Sequence, residues 1–162
     1  MRVWTLPADV DTDQLVPGQA MKLELAGMAS HCLQALRPEF ARGVRAGDVI
    51  VAGPHFGIGS SREQAASVLV HLGVAAVIAP SYSGLYFRNA FNVGLLLLTC
   101  PQARLIEDGE AIAFNARAGR ITRLGAGAAG GDLVCEPIPG FLLDMVEAGG
   151  LLPQLKKRLE KP

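Results

Sequence analysis

The first hundred residues alternate short apolar runs with segments whose apolar positions recur at helical spacing. Residues 49–52, 74–79 and 95–98 are continuous and aliphatic, the pattern of core strands. Residues 61–72 and 84–91 carry apolar side chains three and four apart, which predicts helices. Strand and helix therefore take turns, as in a layered α/β unit. An earlier helix is predicted over 23–36, stopping before Pro38, with a Pro17-Gly18 turn ahead of it. Further on, strands are predicted at 111–114, 121–124 and 132–135. Residues 115–120 read as a hairpin connection and 125–131 as a glycine and alanine loop, so the second half is β-rich. Helices over 140–148 and 151–160 complete the pattern. Neither a repeat nor a linker divides the chain, which is read as a single domain over 1–162.

Composition narrows the function classes. The 162 residues can bury about two thirds of the unfolded surface in one core. Fifteen Lys and Arg balance fifteen Asp and Glu, and the one basic run, Lys156-Lys157-Arg158, reads as a solvated helix face, so nucleic acid is not an expected partner. The longest apolar runs fall far short of the ~20 residues that span a bilayer, so no membrane partner is expected. The opening Met1–Asp9 has no signal-peptide pattern, and a cytoplasmic protein is expected. Cys32, Cys100 and Cys135 are odd in number and lack Cys-x-x-Cys spacing. They are read as small apolar residues of a reducing compartment, with no metal or cluster held by this chain.

The chemistry concentrates in Gly53-Pro54-His55-Phe56-Gly57-Ile58-Gly59-Ser60-Ser61-Arg62-Glu63-Gln64-Ala65. A strand, a glycine turn and a helix in that order present free backbone N–H groups and a positive helix end to an anion, which Arg62 can clamp with its planar fork of donors. Ser60 and Glu63 have the spacing of a capping box, which would account for two of these residues without a ligand. Arg62 in a first helical turn would oppose the dipole, and a bound anion would remove that conflict. A dinucleotide fingerprint fails where Arg62 stands, a phosphate loop lacks Gly-Lys-Ser/Thr, and a nucleophile elbow fails at Glu63. Asp9, Asp11 and Asp13 begin like a calcium loop, but Gln14 replaces its glycine and Ala20 its closing glutamate. His31, His55 and His71 have no metal-ligand spacing; His55 is placed to stabilise the turn or touch a ligand. Lys22, between Met21 and Leu23, is either solvated or reads a substrate.

The segment Phe56 through Ala65 resembles the signature of the aconitase superfamily's swivelling domain, as found in small subunits of isopropylmalate isomerase and its relatives. Asp11-Thr12-Asp13 with Pro17 resembles that family's first motif, and residues 46–53 resemble the strand leading to the signature. Ser81-Tyr82 and Tyr86 through Leu95 resemble its Arg-Asn-x-x-Asn-x-Gly segment, and Ala148–Leu151 its small-subunit tail. The resemblance thus extends over most of the chain.

The resemblance implies an α/β fold, the β/β/α three-layer swivelling domain, closing over a large subunit that carries a [4Fe-4S] cluster; no cofactor is then bound by this chain. It implies a hydro-lyase that removes and re-adds water on a small di- or tricarboxylic hydroxy acid. Ser60 and Ser61 fall on the family's paired serines, with Ser60 favoured as base and Ser61 supporting it. Arg62 falls on its carboxylate-binding arginine, and Gly59 lets the substrate approach the backbone. Met21 and Lys22 fall in its specificity loop, here Ala20-Met21-Lys22-Leu23-Glu24, which offers apolar walls for an isopropyl group and a cation for a third carboxylate. Asp13, Glu63 and Arg88 are assigned supporting roles, with Arg88 and Asn89 ordering the loop. Ile58 and Gln64 depart from the cysteine and histidine usual in isopropylmalate enzymes. The first expectation is a small subunit of 3-isopropylmalate dehydratase, in leucine biosynthesis. The alternatives are a small subunit acting on homoaconitate, aconitate or a methylated malate, or a non-catalytic anion-binding module.

Overall fold

The computed structural model describes residues 1–125 and 131–160. Most of the predicted glycine and alanine loop at 125–131 therefore lies outside the described residues. Four parallel strands, β1 (Val3–Leu6), β2 (Val49–Ala52), β3 (Ala76–Ala79) and β4 (Leu96–Thr99), form one sheet in the order β1-β2-β3-β4. All four residues of both β2 and β3 are buried, as expected of aliphatic strands covered on two faces. β1 was not predicted. Its Val-Trp-Thr-Leu run consists of β-formers, and the register Val3↔Val49 to Leu6↔Ala52 places it at the sheet edge.

The sequential order decides the layering. Every crossover steps the same way across the sheet, and such crossovers are right-handed, so the connecting helices gather on one face. These include α1 (Thr12–Leu15), α2 (Leu25–Ser30), α3 (Phe40–Gly43), α4 (Gln64–His71) and α5 (Gly84–Asn92). An antiparallel sheet of β5 (Ile112–Asn115), β6 (Arg120–Arg123) and β7 (Leu133–Val134) follows. It begins at the β1 edge, where Ile112 N–H donates to the Met1 carbonyl at 2.9 Å. It returns at the β4 edge, where Glu136 N–H donates to the Thr99 carbonyl at 2.8 Å. Two sheets and one helical layer make the β/β/α architecture. The last helices, α6 (Gly140–Ala148) and α7 (Leu151–Leu159), match their predicted spans within one residue.

Two predicted helices are shorter than their periodicity suggested. The 23–36 helix ends at Ser30 and gives way to turns in which Leu33 takes φ 57°. That backbone is sealed by packing, since Leu33 is fully buried and its N–H donates to the Gln14 carbonyl. The 61–72 helix starts at Gln64, so Ser60, Ser61 and Arg62 precede it. None of the described helices is long and apolar enough to cross a membrane.

Candidate active site

The loop between β2 and α4 is shaped by glycines at positive φ, where a side chain would be strained. Gly57 has φ 80°, and a Cβ there would overlap the ring of Tyr86, itself buried on α5 and packed edge-on against Phe56 at 5.3 Å. Gly59 has φ 100°, and its Cβ would stand 3.2 Å from Thr12 Oγ1. The chain thus turns tightly and delivers Ser60 and Ser61 to the surface, both exposed. Among the described residues neither hydroxyl has a hydrogen-bond partner.

Three groups hold this exposed turn from below. Thr12, 1% exposed, accepts the Ser60 N–H on its Oγ1 at 3.0 Å, while its own N–H donates to the Ile58 carbonyl at 2.9 Å. Asn89 of α5, also buried, donates from Nδ2 to the Ser61 carbonyl at 2.8 Å. Arg62 donates from Nη1 to the Val16 carbonyl at 2.9 Å and pairs through Nη2 with Asp13 Oδ1 at 2.7 Å. The N–H groups of Gly57 and Ser60 are thereby occupied, Gly57 by the Val10 carbonyl at 2.7 Å. Those of Gly59, Ser61 and Arg62 meet no acceptor among the described residues, so they are the amides available to an anion.

Two sequence readings are corrected here. Ser60 and Glu63 do not form a capping box: the α4 N-cap is Glu63 in helical backbone, with no side-chain cap bond. The reciprocal box belongs to α1, where Asp11 Oδ1 accepts the Gln14 N–H at 2.7 Å and Gln14 Oε1 accepts the Asp11 N–H at 2.9 Å. Arg62 also lies before the helix rather than in its first turn, so the conflict with the dipole does not arise, and its Nη2 pairs with Asp13. Asp-x-x-Gln was a readable signal, obscured by its likeness to a calcium loop.

The remaining predicted residues separate clearly. Asp13 joins the site through Arg62. Glu63 is exposed and contributes its carbonyl, which accepts from the Ala66 and Ser67 N–H groups. Arg88 is exposed with no ion pair among the described residues, so Asn89 alone of that pair orders the loop. Lys22 is exposed at the end of a 3-10 turn over Gly18–Lys22, and Met21 packs partly against the core; neither bonds to the serine loop. Thr12 was missed, hidden between the two acids of its motif. His55 stabilises the turn, its Nδ1 2.9 Å from Asp9 Oδ1 and its N–H donating to Ser81 Oγ at 2.9 Å.

No converging group of three or more His, Cys, Asp or Glu side chains occurs among the described residues. The three cysteines are free and buried. Burial alone pushes the Cys32 thiol up, whereas the neighbouring Cys100 and Cys135 thiols act on each other, drawing Cys100 down and pushing Cys135 up. A groove of about 360 Å³ at the carboxyl ends of the parallel strands is lined by Leu6, Pro7, Val51, Pro101 and Arg104 and includes none of residues 59–62. Its largely apolar lining offers no hydroxyl pair beside a cation.

This geometry has clear relatives. The aconitase C-terminal domain family matches residues 41–103, the stretch that includes the serine loop. The 3-isopropylmalate dehydratase small subunit 1 of Methanopyrus kandleri is 40% identical over 96% of this chain and 91% of its own. The homoaconitase small subunit of Methanothermobacter thermautotrophicus is 40% identical over 98% of this chain and 91% of its own. The crystal structure of a 3-isopropylmalate dehydratase from Methanocaldococcus jannaschii superposes with a TM-score of 0.88 at 37% identity, covering 97% of this chain and 92% of that one. With similarity running nearly end to end, the chain belongs to the aconitase superfamily, in the family of 3-isopropylmalate dehydratase small subunits.

Proposed function

We propose that this chain is the cluster-free half of a hydro-lyase that interconverts 2-isopropylmalate and 3-isopropylmalate by dehydration and rehydration. The observation that carries the reading is the Ser60-Ser61-Arg62 turn, anchored from beneath by Thr12, Asn89 and Asp13, with its exposed hydroxyls unpaired among the described residues. Arg62 receives a substrate carboxylate on N–H groups not committed to Val16 or Asp13. A serine hydroxyl, Ser60 in our assignment, takes the proton on the carbon next to that carboxylate, and the alkoxide it must first become is stabilised by Arg62, the nearby amides and the α4 N-terminus. Ser61 supports that alkoxide. A [4Fe-4S] cluster on the large subunit would supply the Lewis-acid chemistry for departure of the substrate hydroxyl.

A half-site of this kind requires a partner, since its hydroxyls face solvent and nothing among the described residues covers a substrate. The partner is the large subunit, and the substrate class is a small hydroxy acid with two or three carboxylates. A second reading, homoaconitate as substrate, is favoured by exposed Lys22, whose ammonium would meet a third carboxylate, and by the homoaconitase relative. The reconstituted pair tests both: turnover of isopropylmalate well above homoaconitate supports the first, and the reverse order supports the second. Lys22→Ala separates them further, because faster homoaconitate turnover in that variant would exclude Lys22 as a carboxylate reader.

A further inference from the structure

We infer that Thr12 is a positioning residue of the serine loop, its buried hydroxyl pinning the peptide between Gly59 and Ser60. The inference rests on the reading of Ser60 and Ser61 as the reacting pair and adds a residue to which no role has been assigned. Thr12 stands on the first turn of α1, 48 positions before Ser60, so the contact is tertiary and not a consequence of local turn geometry. It is made from both atoms able to make it: Oγ1 accepts from Ser60 N–H at 3.0 Å, and the Thr12 N–H donates to Ile58 O at 2.9 Å. The clasp therefore spans the residues on either side of Gly59.

Two independent features agree with this role. Gly59 has φ 100°, where a side chain would be strained, and a Cβ there would stand 3.2 Å from Thr12 Oγ1, tighter than ordinary contact, so the loop fits closely against the threonine. The bond also divides the amides of the turn: Ser60 N–H is withdrawn into the protein, while those of Gly59 and Ser61 remain without acceptors among the described residues. Were the Ser60 N–H released, the peptide could rotate, and the amides on either side would no longer hold fixed directions. Displacements of about 1 Å at a reacting group cost on the order of a hundredfold in rate.

The test uses Thr12→Ser, which keeps the acceptor, and Thr12→Val and Thr12→Ala, which remove it with and without the branch volume. In the full chain, hydrogen exchange at the Ser60 amide is expected to speed up about tenfold or more in Thr12→Val and Thr12→Ala and to stay near wild type in Thr12→Ser. In the reconstituted complex, kcat is expected to fall about 10- to 100-fold in the two removal variants with KM within about threefold, and Thr12→Ser is expected to restore it. Unchanged Ser60 exchange in the removal variants, or equal kcat losses in all three variants, would overturn the inference. Full turnover in Thr12→Ala beside an inactive serine double variant would defeat this inference alone, whereas an active serine double variant would defeat the reading beneath it.

Discussion

Arg62 and Asp13 meet at 2.7 Å although one lies on the loop after β2 and the other on α1. The arginine is 18% exposed and the aspartate 69%, so the cation is held near the surface with its aim already set. A lysine there could keep the charge but not the planar fork. Arg62→Lys is expected to lower kcat/KM by roughly 30-fold, about 2 kcal/mol, mostly through KM, in steady-state assays of the reconstituted pair.

The turn itself should be intolerant where the glycines are. Gly57→Ala places a methyl against Tyr86 at a φ of 80°, and Tyr86 cannot retreat because it is buried. Urea unfolding of the full chain is expected to register a loss of more than about 3 kcal/mol. Arg88→Ala, on the exposed side of the helix that carries Tyr86, is expected to stay within about 0.5 kcal/mol of wild type.

Asn89 couples α5 to the serine loop. Removing its amide in Asn89→Ala leaves the Ser61 carbonyl without its 2.8 Å donor. A stability loss of about 1–3 kcal/mol is expected by urea denaturation, with a fall in kcat of the complex accompanying it.

How much of this was legible in the sequence depended on whether the signal was local. β2, β3 and β4 declared themselves because strands buried on both faces need continuous aliphatic runs. α5, α6 and α7 did so through amphipathic spacing. The start of α4 was misplaced by three residues, because Ser60-x-x-Glu63 satisfies a capping pattern while the extended turn that precludes it is imposed by Tyr86 and Thr12, partners distant in sequence. The same distance hid Thr12 and the counter-charge of Arg62. In the fold its counter-charge arrives from Asp13, 49 positions earlier. Glu63 and Arg88 were singled out from motif position alone, and their side chains stand apart from the loop's bonding.

Away from the site, Asp108 ties the β1 edge to Arg37. Its carboxylate accepts from Arg37, from the Thr5 N–H and from the Thr5 hydroxyl, and the Arg37 hydrogen bond is the main cause that draws its pKa down to about 2. A depressed carboxylate contributes stability above its unfolded pKa of about 3.9, and that contribution is lost as pH falls through the folded value. Because Asp108 is 49% exposed, the nominal effect is discounted for solvent screening to about 1 kcal/mol. Urea midpoints measured from pH 5 to pH 2 should decline less steeply in Asp108→Asn than in wild type.

The central claim is that the two hydroxyls of the anchored turn act on an acid brought by the large subunit. The most direct measurement is kcat of the reconstituted complex carrying Ser60→Ala and Ser61→Ala together, with complex formation verified by co-purification. The account predicts a fall of about a thousandfold or more with the complex intact. Turnover within about threefold of wild type would contradict it.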